Sequence, residues 1–583
     1  MITNIFVVGS GPGPGGNLPF SVTYVADLQT AIDMVPTPPA PLQLLNRYAI
    51  ILTDPVFDAT GTTFSITGNR RVLIIGWPGG FQSPHLAVTG VGSSLAGPTF
   101  LVGGTAEVEF HNLFFLVGEV SPGTPHILSD GEPGGRLAQG TAVRVVDNAT
   151  AELVGCRDLN VASPGVTMYS AFGVRSLPSL RAKSHRSFVW PNALGPAMDD
   201  EGSIFGSGFA AVEVRDSVLP VLPRAITSVL SGHVVVERTL FEKPTVLAQI
   251  PASGHARHAV LHRYQVFGPL QPLATTIEIR DSTFIECLHG LLVRGFDGQV
   301  PANSSIDARV ERCMFVGFNE DVPDGAKPGE PQVWGHLVAV EWKLRVPQRG
   351  SFSLLMENNI SRSMSEDLRI TGWWWSYITM QNNTSVYTRF SCVHLLDPNT
   401  PPTDALGFNA YQMKNLWITN NLFQTGEFTN FSLFANNGQW LGLVGVSFDW
   451  PSGGAAPASW DTGGALGSLK VGANYFANFN VGKETWDQVA GTTLNPIYFV
   501  PTPGNSASAP PTSALVGPPF ISVVTNYAPR VTLDPPVIDA SDDTYTQPPS
   551  RDFFSRLRIP AADIGAVETS ALIQPVDVVF PLG

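Results

Sequence analysis

The chain has 583 residues and a formal net charge of −14; 14% of its residues are charged and 43% are hydrophobic. Because this acidic composition contains no run of Lys or Arg, it argues against binding to nucleic acid or to an anionic membrane surface. No stretch approaches about 18 uninterrupted apolar residues, so we predict no bilayer span. The four cysteines are too few for a disulfide framework.

The chain begins with a short apolar run and the segment VVGSGPGPGG. Its glycines match the spacing of a dinucleotide-binding loop, but Pro12 and Pro14 have no backbone N–H to offer a phosphate. We therefore predict a Gly/Pro-rich arm over residues 1–24. A basic segment and a cleavage site are missing at this N-terminus. Either a signal was removed from the sequence, or the protein leaves its cell by another route, such as inside a virus particle.

The next segment, VADLQTAIDMV (25–35), has apolar residues at helical spacing. We predict an amphipathic helix that caps the fold, within a cap-and-linker region over residues 25–44. Residues 48–79 then predict opening strands, with turns at Asp54-Pro55 and Gly68-Asn69.

A short alternating strand, a polar corner and a further apolar residue then recur along the chain, as in AVEVRDSVL (211–219), TIEIRDSTF (276–284) and LLMENNIS (354–361). AELVGCRDL (151–159) is a weaker copy. The smallest spacings are 22 residues, from Val214 to Val236, and 24 residues, from Met356 to Met380, and several others are close to twice that. We predict that two apolar side chains per copy point inward and fill an interior column, and that the following Asn, Asp or Arg turns the corner. The second apolar residue of each copy is its anchor. The anchors are Phe110, Val214, Val236, Ile279, Val310, Met356, Met380, Ile418 and Val471.

This repeat resembles the right-handed parallel β-helix of the pectin-lyase-like family, over roughly residues 45–570. The resemblance implies an all-β, single-stranded right-handed parallel β-helix (a solenoid) over residues 45–482, with the N-terminal capping helix and long loop insertions. Residues 483–583 form an irregular C-terminal segment with the last rungs and a tail. Within it, PPVIDASDD and IPAADIGAVE resemble the closing IDA…DIGA-x-E signature of bacterial β-helix proteins.

Segments that do not fit the repeat are predicted as loops that form a ligand or partner surface, over residues 160–210, 321–350 and 440–465. The apolar tail IQPVDVVFPLG (573–583) predicts a strand. A neighbouring subunit supplies its partner, or the tail packs back on the same chain.

The motifs of sugar-cleaving β-helix enzymes, such as G-H-G and N-T-D, are not found, so no catalytic residue is assigned. If the protein is an enzyme, our choice is Asp199, Asp200 and Glu201, which lie in a long loop. Acidic clusters at Glu366-Asp367 and at Asp539, Asp542 and Asp543 are further candidates for acid–base or cation chemistry, or are solvated turns.

Three consecutive tryptophans are the predicted binding residues. Alternation places Trp374 on the face opposite Trp373 and Trp375, so at least one indole faces outward unless a loop covers it. An exposed Trp suits stacking on a glycan or a subunit contact.

Three histidines, His255, His258 and His262, would share a helix face and could bind Zn²⁺. The surrounding sequence predicts a strand, so we predict no metal and no cofactor. The cysteines are predicted as small buried fillers. The pairs Asn358-Asn359, Asn382-Asn383 and Asn420-Asn421 are predicted to stack as a hydrogen-bonded ladder at one corner.

Two functions are open. The first is a non-enzymatic virion structural protein, such as a capsid decoration, spike or fibre component, that holds its neighbours through its terminal arms. By resemblance to viral spikes it is a homotrimer, located in the virion or outside the cell, with other capsid proteins or surface glycans as partners. The second is a polysaccharide-degrading β-helix, either a lyase or hydrolase or a phage tailspike depolymerase. Fold alone does not decide between them.

Overall fold

The protein, described from a computed structural model, consists mostly of parallel β-strands in long sheets. It divides into two units, Met1–Leu261 and His262–Gly583. The structure describes residues 2–9, 21–38, 47–54, 56–58, 62–77, 86–90, 100–117, 143–145, 147–154, 157–158, 175–183, 204–207, 211–220, 224–229, 232–242, 258–264, 274–285, 287, 289–295, 305–317, 336–342, 351–362, 366–371, 375–388, 391–396, 413–425, 444–449, 468–472, 475–477, 520–522, 526–529, 541, 543, 547–558, 562–563 and 565–568.

The elements of the first unit follow in chain order, and the division between the units falls within the last of them. They are β1 Ile2–Val8, β2 Ser21–Val25, α1 Leu28–Asp33, β3 Arg47–Leu52, β4 Val56–Asp58, β5 Phe64–Ile66, β6 Arg71–Gly76, β7 Leu86–Gly90, β8 Phe100–Val102, β9 Glu107–His111, β10 Leu113–Val117, β11 Val143–Val145, β12 Thr150–Val154, β13 Arg157–Asp158, β14 Arg175–Lys183, β15 Ile204–Ser207, β16 Ala211–Pro220, β17 Arg224–Val229, β18 His233–Glu237, β19 Leu240–Glu242 and β20 His258–Tyr264.

The main sheet of the first unit runs β2-β1-β3-β6-β9-β12 with every neighbouring pair parallel. One strand breaks this pattern, because β14 pairs antiparallel with both β12 and β16. Parallel pairing resumes from β16 to β18 and β19. Smaller parallel sheets are formed by β4-β7-β10-β13, by β5-β8-β11 and by the pair β15-β17.

The second unit has the following strands in chain order. They are β21 Ala274–Arg280, β22 Thr283–Ile285, β23 His289–Gly295, β24 Ser305–Glu311, β25 Met314–Val316, β26 His336–Trp342, β27 Ser351–Glu357, β28 Ile360–Arg362, β29 Glu366–Thr371, β30 Trp375–Gln381, β31 Thr384–Thr388, β32 Ser391–Leu396, β33 Met413–Thr419, β34 Leu422–Thr425, β35 Val444–Asp449, β36 Ser468–Gly472, β37 Tyr475–Ala477, β38 Phe520–Ser522 and β39 Asn526–Pro529.

Strands β21 to β37 of the second unit return to three parallel stacks, whereas β38 and β39 pair antiparallel with each other. The first is β21-β24-β27-β30-β33-β36, the second is β22-β25-β28-β31-β34-β37, and the third is β23-β26-β29-β32-β35. We call one strand from each stack, taken in chain order, a rung. The all-β class and the long parallel sheets are therefore as predicted from the sequence.

The predicted interior anchors are buried wherever the structure describes them. The eight anchors from Phe110 to Ile418 are at most 1% exposed. Within the second unit, Ile279, Val310, Met356, Met380, Ile418 and Val471 are direct register partners on consecutive strands. Burying these apolar side chains in one column supplies the main favourable free energy of each rung.

The long spacings between copies have a simple explanation. Val310 pairs directly with Met356, although 46 residues separate them in the sequence. The doubled spacing at this position agrees with the long loop insertions that the sequence predicts. It is one rung that contains an insertion.

The predicted corners adopt left-handed backbone. The residue two positions after each of the eight anchors from Phe110 to Ile418 has a φ between 47° and 56°. Asn and Asp tolerate this conformation because their short polar side chains bond locally. The residues are Asn112, Asp216, Arg238, Asp281, Arg312, Asn358, Asn382 and Asn420.

The N-terminal region contributes strands as well as a cap. The expected arm over residues 1–24 includes β1 and most of β2, because Ile5 to Val8 are buried apolar residues that pair between β2 and β3. The capping helix α1 is shorter than predicted, and Val25 belongs to β2. Asp27 begins the helix by accepting a hydrogen bond from the backbone N–H of Thr30 at 2.8 Å. Residues 10–20 lie outside the described part of the chain.

The segments predicted as loops contain strands that their composition, rich in Gly, Pro and Trp, does not indicate. Residues 160–210 include β14 and β15, residues 321–350 include β26, and residues 440–465 include β35. In β26 the residues Leu337 to Val340 are all buried, so the strand is a continuous apolar run without alternation. Among the described residues, no helix has the length and apolar character needed to cross a membrane.

Candidate functional site

Charged side chains collect on the outer face of the first stack of the second unit, just before the left-handed corner. Arg280, Glu311, Glu357, Gln381 and Thr419 end consecutive strands and are register partners. The inward-facing residues alternate with them, so this row lies on the face away from the column. We call the row and its neighbours the carboxylate–arginine cluster, which consists of Glu278, Arg280, Asp281, Arg309, Glu311, Arg312, Glu357 and Gln381.

Two carboxyl groups, Glu311 and Glu357, lie at the centre of the cluster, with side chains 5% and 10% exposed. Arg309 contacts both of them: its Nε faces Glu311, and its Nη2 donates to Glu357 Oε1 at 3.0 Å. Gln381 Nε2 donates to Glu357 Oε2 at 3.0 Å. Arg280 Nε lies 3.4 Å from Glu311 Oε2.

The two carboxyl groups differ in their affinity for a proton. Burial raises the pKa of Glu311, and its hydrogen bond with Glu357 raises it further. Burial also acts to raise the pKa of Glu357, but the hydrogen bonds that it accepts from Glu311, Gln381 and Arg309 outweigh burial and lower it. Glu311 therefore keeps its proton to a higher pH than Glu357 does.

The predicted Asn ladder is present inside the corner. The backbone N–H and the Nδ2 of Asn359 both donate to Asn383 Oδ1 at 2.9 Å. Asn383 repeats this with Asn421 Oδ1, at 2.9 Å from its backbone N and 3.0 Å from its Nδ2. The ladder begins where Cys313 N donates to Asn359 Oδ1 at 3.0 Å. It uses the second Asn of each pair, whereas the first turns the backbone.

A C-terminal segment packs beside this corner. We call residues 547–558, 562–563 and 565–568 the C-terminal strap. Phe553, Ala566 and Val567 form one apolar cluster with Met314, Val316 and Ile360. The DIGA-x-E motif, which the sequence suggests is a closing signature, lies in the strap: Gly565 N donates to Asn420 O at 2.9 Å. The first Asn of each ladder pair thus faces the strap.

One arginine joins the strap to the corner. Arg558 Nη2 donates to Asn358 Oδ1 at 2.8 Å and to Gly565 O at 2.7 Å, and Nη1 lies 3.3 Å from Glu568 Oε2. The side chains of Arg558 and Glu568 are 3% and 0% exposed. A charge pair this deeply buried depends on both partners.

Glycine is required at one point of this contact. Gly565 has a φ of +97°, and a Cβ there would lie 2.8 Å from Thr384 Oγ1 and 3.2 Å from Leu422 Cβ. We expect Gly565→Ala to lower the free energy of unfolding by about 1–3 kcal/mol, as measured by urea titration. The control is Ser555→Gly, which relieves a φ of 61° in the same strap and should leave stability unchanged or slightly higher. Equal midpoints for Gly565→Ala and the parent would contradict this interpretation.

The predicted catalytic candidates are not tested by the described residues. Asp199, Asp200 and Glu201 lie outside them, as do Asp539 and Asp542. Asp367 is described: it is 1% exposed in β29 and accepts a hydrogen bond from Ser361 Oγ at 2.6 Å.

The predicted binding tryptophans are also largely outside the described residues. Trp373 and Trp374 fall there, and Trp375 is the first residue of β30. On the same strand Tyr377 is 39% exposed.

The candidate histidines and the cysteines whose side chains the structure describes are buried in the fold. His258 and His262 are buried in a strand, as the sequence around them predicts, and burial lowers the pKa of His262 to about 3. Cys287 and Cys313 are free and buried. Within the described ranges no group of three potential metal ligands is found. His255, Cys156 and the side chain of Cys392 are outside those ranges.

Sequence reasoning missed the carboxylate–arginine cluster, although a signal was present. Aligning the copies on their anchors places Arg280, Glu311, Glu357 and Gln381 at one position, directly before the corner. No protein-family model matches this chain, and comparison with curated proteins finds no significant relative.

Proposed function

We propose that the chain winds as a right-handed parallel β-helix and serves as a non-enzymatic structural component of a virus-type particle. The return of successive strands to three parallel stacks supports the β-helix. Right-handed crossovers between parallel strands are strongly favoured, which supports the handedness.

The structural role rests on one observation: polar side chains at the repeated positions connect neighbouring rungs. Asn359, Asn383 and Asn421 bond each to the next, and Arg309 bridges the carboxyl groups of two adjacent strands. Such a ladder holds the rungs in register and resists separation along the stack. A stiff, protease-resistant rod is what a spike, fibre or decoration protein requires.

The central carboxyl pair fits this role better than catalysis. Glycosidases separate their two carboxyl groups by about 5–5.5 Å or about 6.5–9.5 Å, on either side of an accessible bond. Glu311 and Glu357 instead are direct register partners on neighbouring strands and are almost fully covered.

The test combines a mass measurement with localisation. We expect the purified protein to be a homo-oligomer in solution, with a trimer as the first expectation, and antibodies to it to label purified particles from its source. A monomer that is missing from every particle fraction would overturn the proposal.

A second candidate function, action on a polysaccharide, is favoured by one observation. Tyr377 is exposed on the outer face of the same stack that holds Asp307 and Arg309. Incubation with a panel of acidic polysaccharides decides between the two functions. Cleavage that is lost in Asp199→Ala, Asp200→Ala or Glu357→Gln would replace the structural proposal, whereas we expect no cleavage by the parent protein.

A further inference from the structure

We propose that the carboxylate–arginine cluster holds one proton between Glu311 and Glu357, and that this shared proton locks β24 to β27 until rising pH removes it. This inference does not depend on the proposed function.

The geometry forces the two carboxyl groups together. Glu311 and Glu357 are direct register partners on parallel strands, and neighbouring strands lie about 4.8 Å apart. Their side chains point to the same face and are almost fully covered. Two ionised carboxylates at this distance and burial repel each other strongly, whereas a carboxylic acid beside a carboxylate donates a short hydrogen bond to it.

The charges around the pair leave one carboxyl group in excess. Arg312 is bonded to Asp281 through two hydrogen bonds, at 2.7 Å and 3.0 Å. Arg280 lies 2.6 Å from Glu278, closer than to Glu311. Among the cluster residues, four carboxyl groups therefore face three guanidinium groups, and one proton makes the cluster neutral. The four are Glu278, Asp281, Glu311 and Glu357, and the three are Arg280, Arg309 and Arg312.

Among the described residues, the ion pairs of Glu311 and Glu357 involve Arg280, Arg309 and Arg312, the last with its Nη1 3.7 Å from Glu311 Oε2, and no cation from another element. The neighbour on β30 is Gln381, an uncharged donor. Asp307, on the same face of β24, is exposed and further from the corner. Beyond Asn358, the strap presents Arg558, which is paired with Glu568.

The effect of pH on stability follows from the directions of the two shifts. Because the pKa of Glu311 is raised in the folded protein, its contribution is fully present below the ordinary pKa of a glutamate and is lost as pH rises through the folded value. Because the pKa of Glu357 is lowered, its contribution is present above the ordinary value and is lost as pH falls through the folded one. Stability should therefore fall both when pH drops through the lowered pKa of Glu357 and when pH rises through the raised pKa of Glu311.

The test uses the full chain and two readouts. In the parent protein, infrared spectroscopy should show a protonated carboxyl band that persists above the pH at which ordinary carboxyl groups have ionised. It should disappear at the pH where the urea midpoint begins to fall. Glu311→Gln keeps a hydrogen-bond donor toward Glu357 but has no carboxyl group at position 311. In this variant both the protonated carboxyl band and the fall of the urea midpoint at rising pH should be lost.

Asp307→Asn is the matched control, since it removes an exposed carboxyl group from the same strand and face. It should keep the band and the pH profile of the parent. The proposal is overturned if the parent shows no such band, or if Glu311→Gln retains the parent's pH dependence. If Glu311→Gln fails to fold, the infrared titration of the parent decides alone.

Discussion

Replacing Arg558 with methionine is expected to lower the free energy of unfolding of the second unit by about 3–5 kcal/mol. Methionine keeps most of the volume of the side chain but removes the positive charge. The carboxyl group of Glu568, which is fully buried, would then have lost its ion pair, and Asn358 Oδ1 and Gly565 O would lose their donor. Leaving a buried charge uncompensated costs far more than the net benefit of forming the pair.

The consequence extends to the apolar side of the strap. Detaching the strap from the corner would expose Met314, Val316 and Ile360 to solvent, because these residues pack on Phe553 and Val567. We therefore expect a lower urea midpoint together with increased binding of a hydrophobic dye and faster proteolysis within the strap.

Arg551→Met is the matched control, because Arg551 is an exposed arginine of the same strap whose guanidinium donates to Ser555 O. It should cost less than about 1 kcal/mol. The double variant Arg558→Met with Glu568→Leu should recover part of the loss, since no buried charge remains without its partner. Equal effects of Arg558→Met and Arg551→Met would show that the buried pair does not hold the strap.

The interior and the corners of the fold could be predicted from the sequence because both are local patterns repeated many times. Alternation identifies the anchors, and Asn or Asp directly after a strand indicates left-handed backbone. Arg238 and Arg312 occupy corners without being suited to that conformation. Each forms two hydrogen bonds with the preceding corner aspartate, Asp216 and Asp281 respectively, which offsets the strain.

The strap and the third stack could not be predicted in the same way. The strap depends on contacts between residues that are far apart in the sequence, such as those of Asn358 with Arg551 and Arg558, 193 and 200 positions away. No local pattern encodes such contacts. In the third stack, β26 has a continuous apolar run, Leu337 to Val340, inside a segment rich in Gly and Pro, so it lacks the period that distinguishes a strand from a loop.

The second large effect on stability is expected from a substitution in the Asn ladder. Asn383 occupies its middle: it accepts two hydrogen bonds from Asn359, and its Nδ2 donates to Asn421 Oδ1 and to Met356 O at 2.9 Å. Asn383→Ala would leave the buried backbone N–H of Asn359 and the carbonyl of Met356 without these partners. Each buried group left unsatisfied costs roughly 1–3 kcal/mol, so we expect a total loss of about 3–5 kcal/mol in the free energy of unfolding.

The control is an asparagine whose side chain forms one solvent-exposed hydrogen bond. Asn4 accepts from Ser21 Oγ at 2.5 Å in an exposed position, and Asn4→Ala should cost less than about 1 kcal/mol. Hydrogen exchange offers a second readout, because in Asn383→Ala the amide of Asn359 loses its acceptor and should exchange faster, while those of β21 keep their protection. If the ladder acts only as filler, Asn383→Leu would restore stability. If hydrogen bonding is what aligns the rungs, Asn383→Leu will be at least as unstable as the alanine variant, because leucine fills the space and satisfies none of the groups around it.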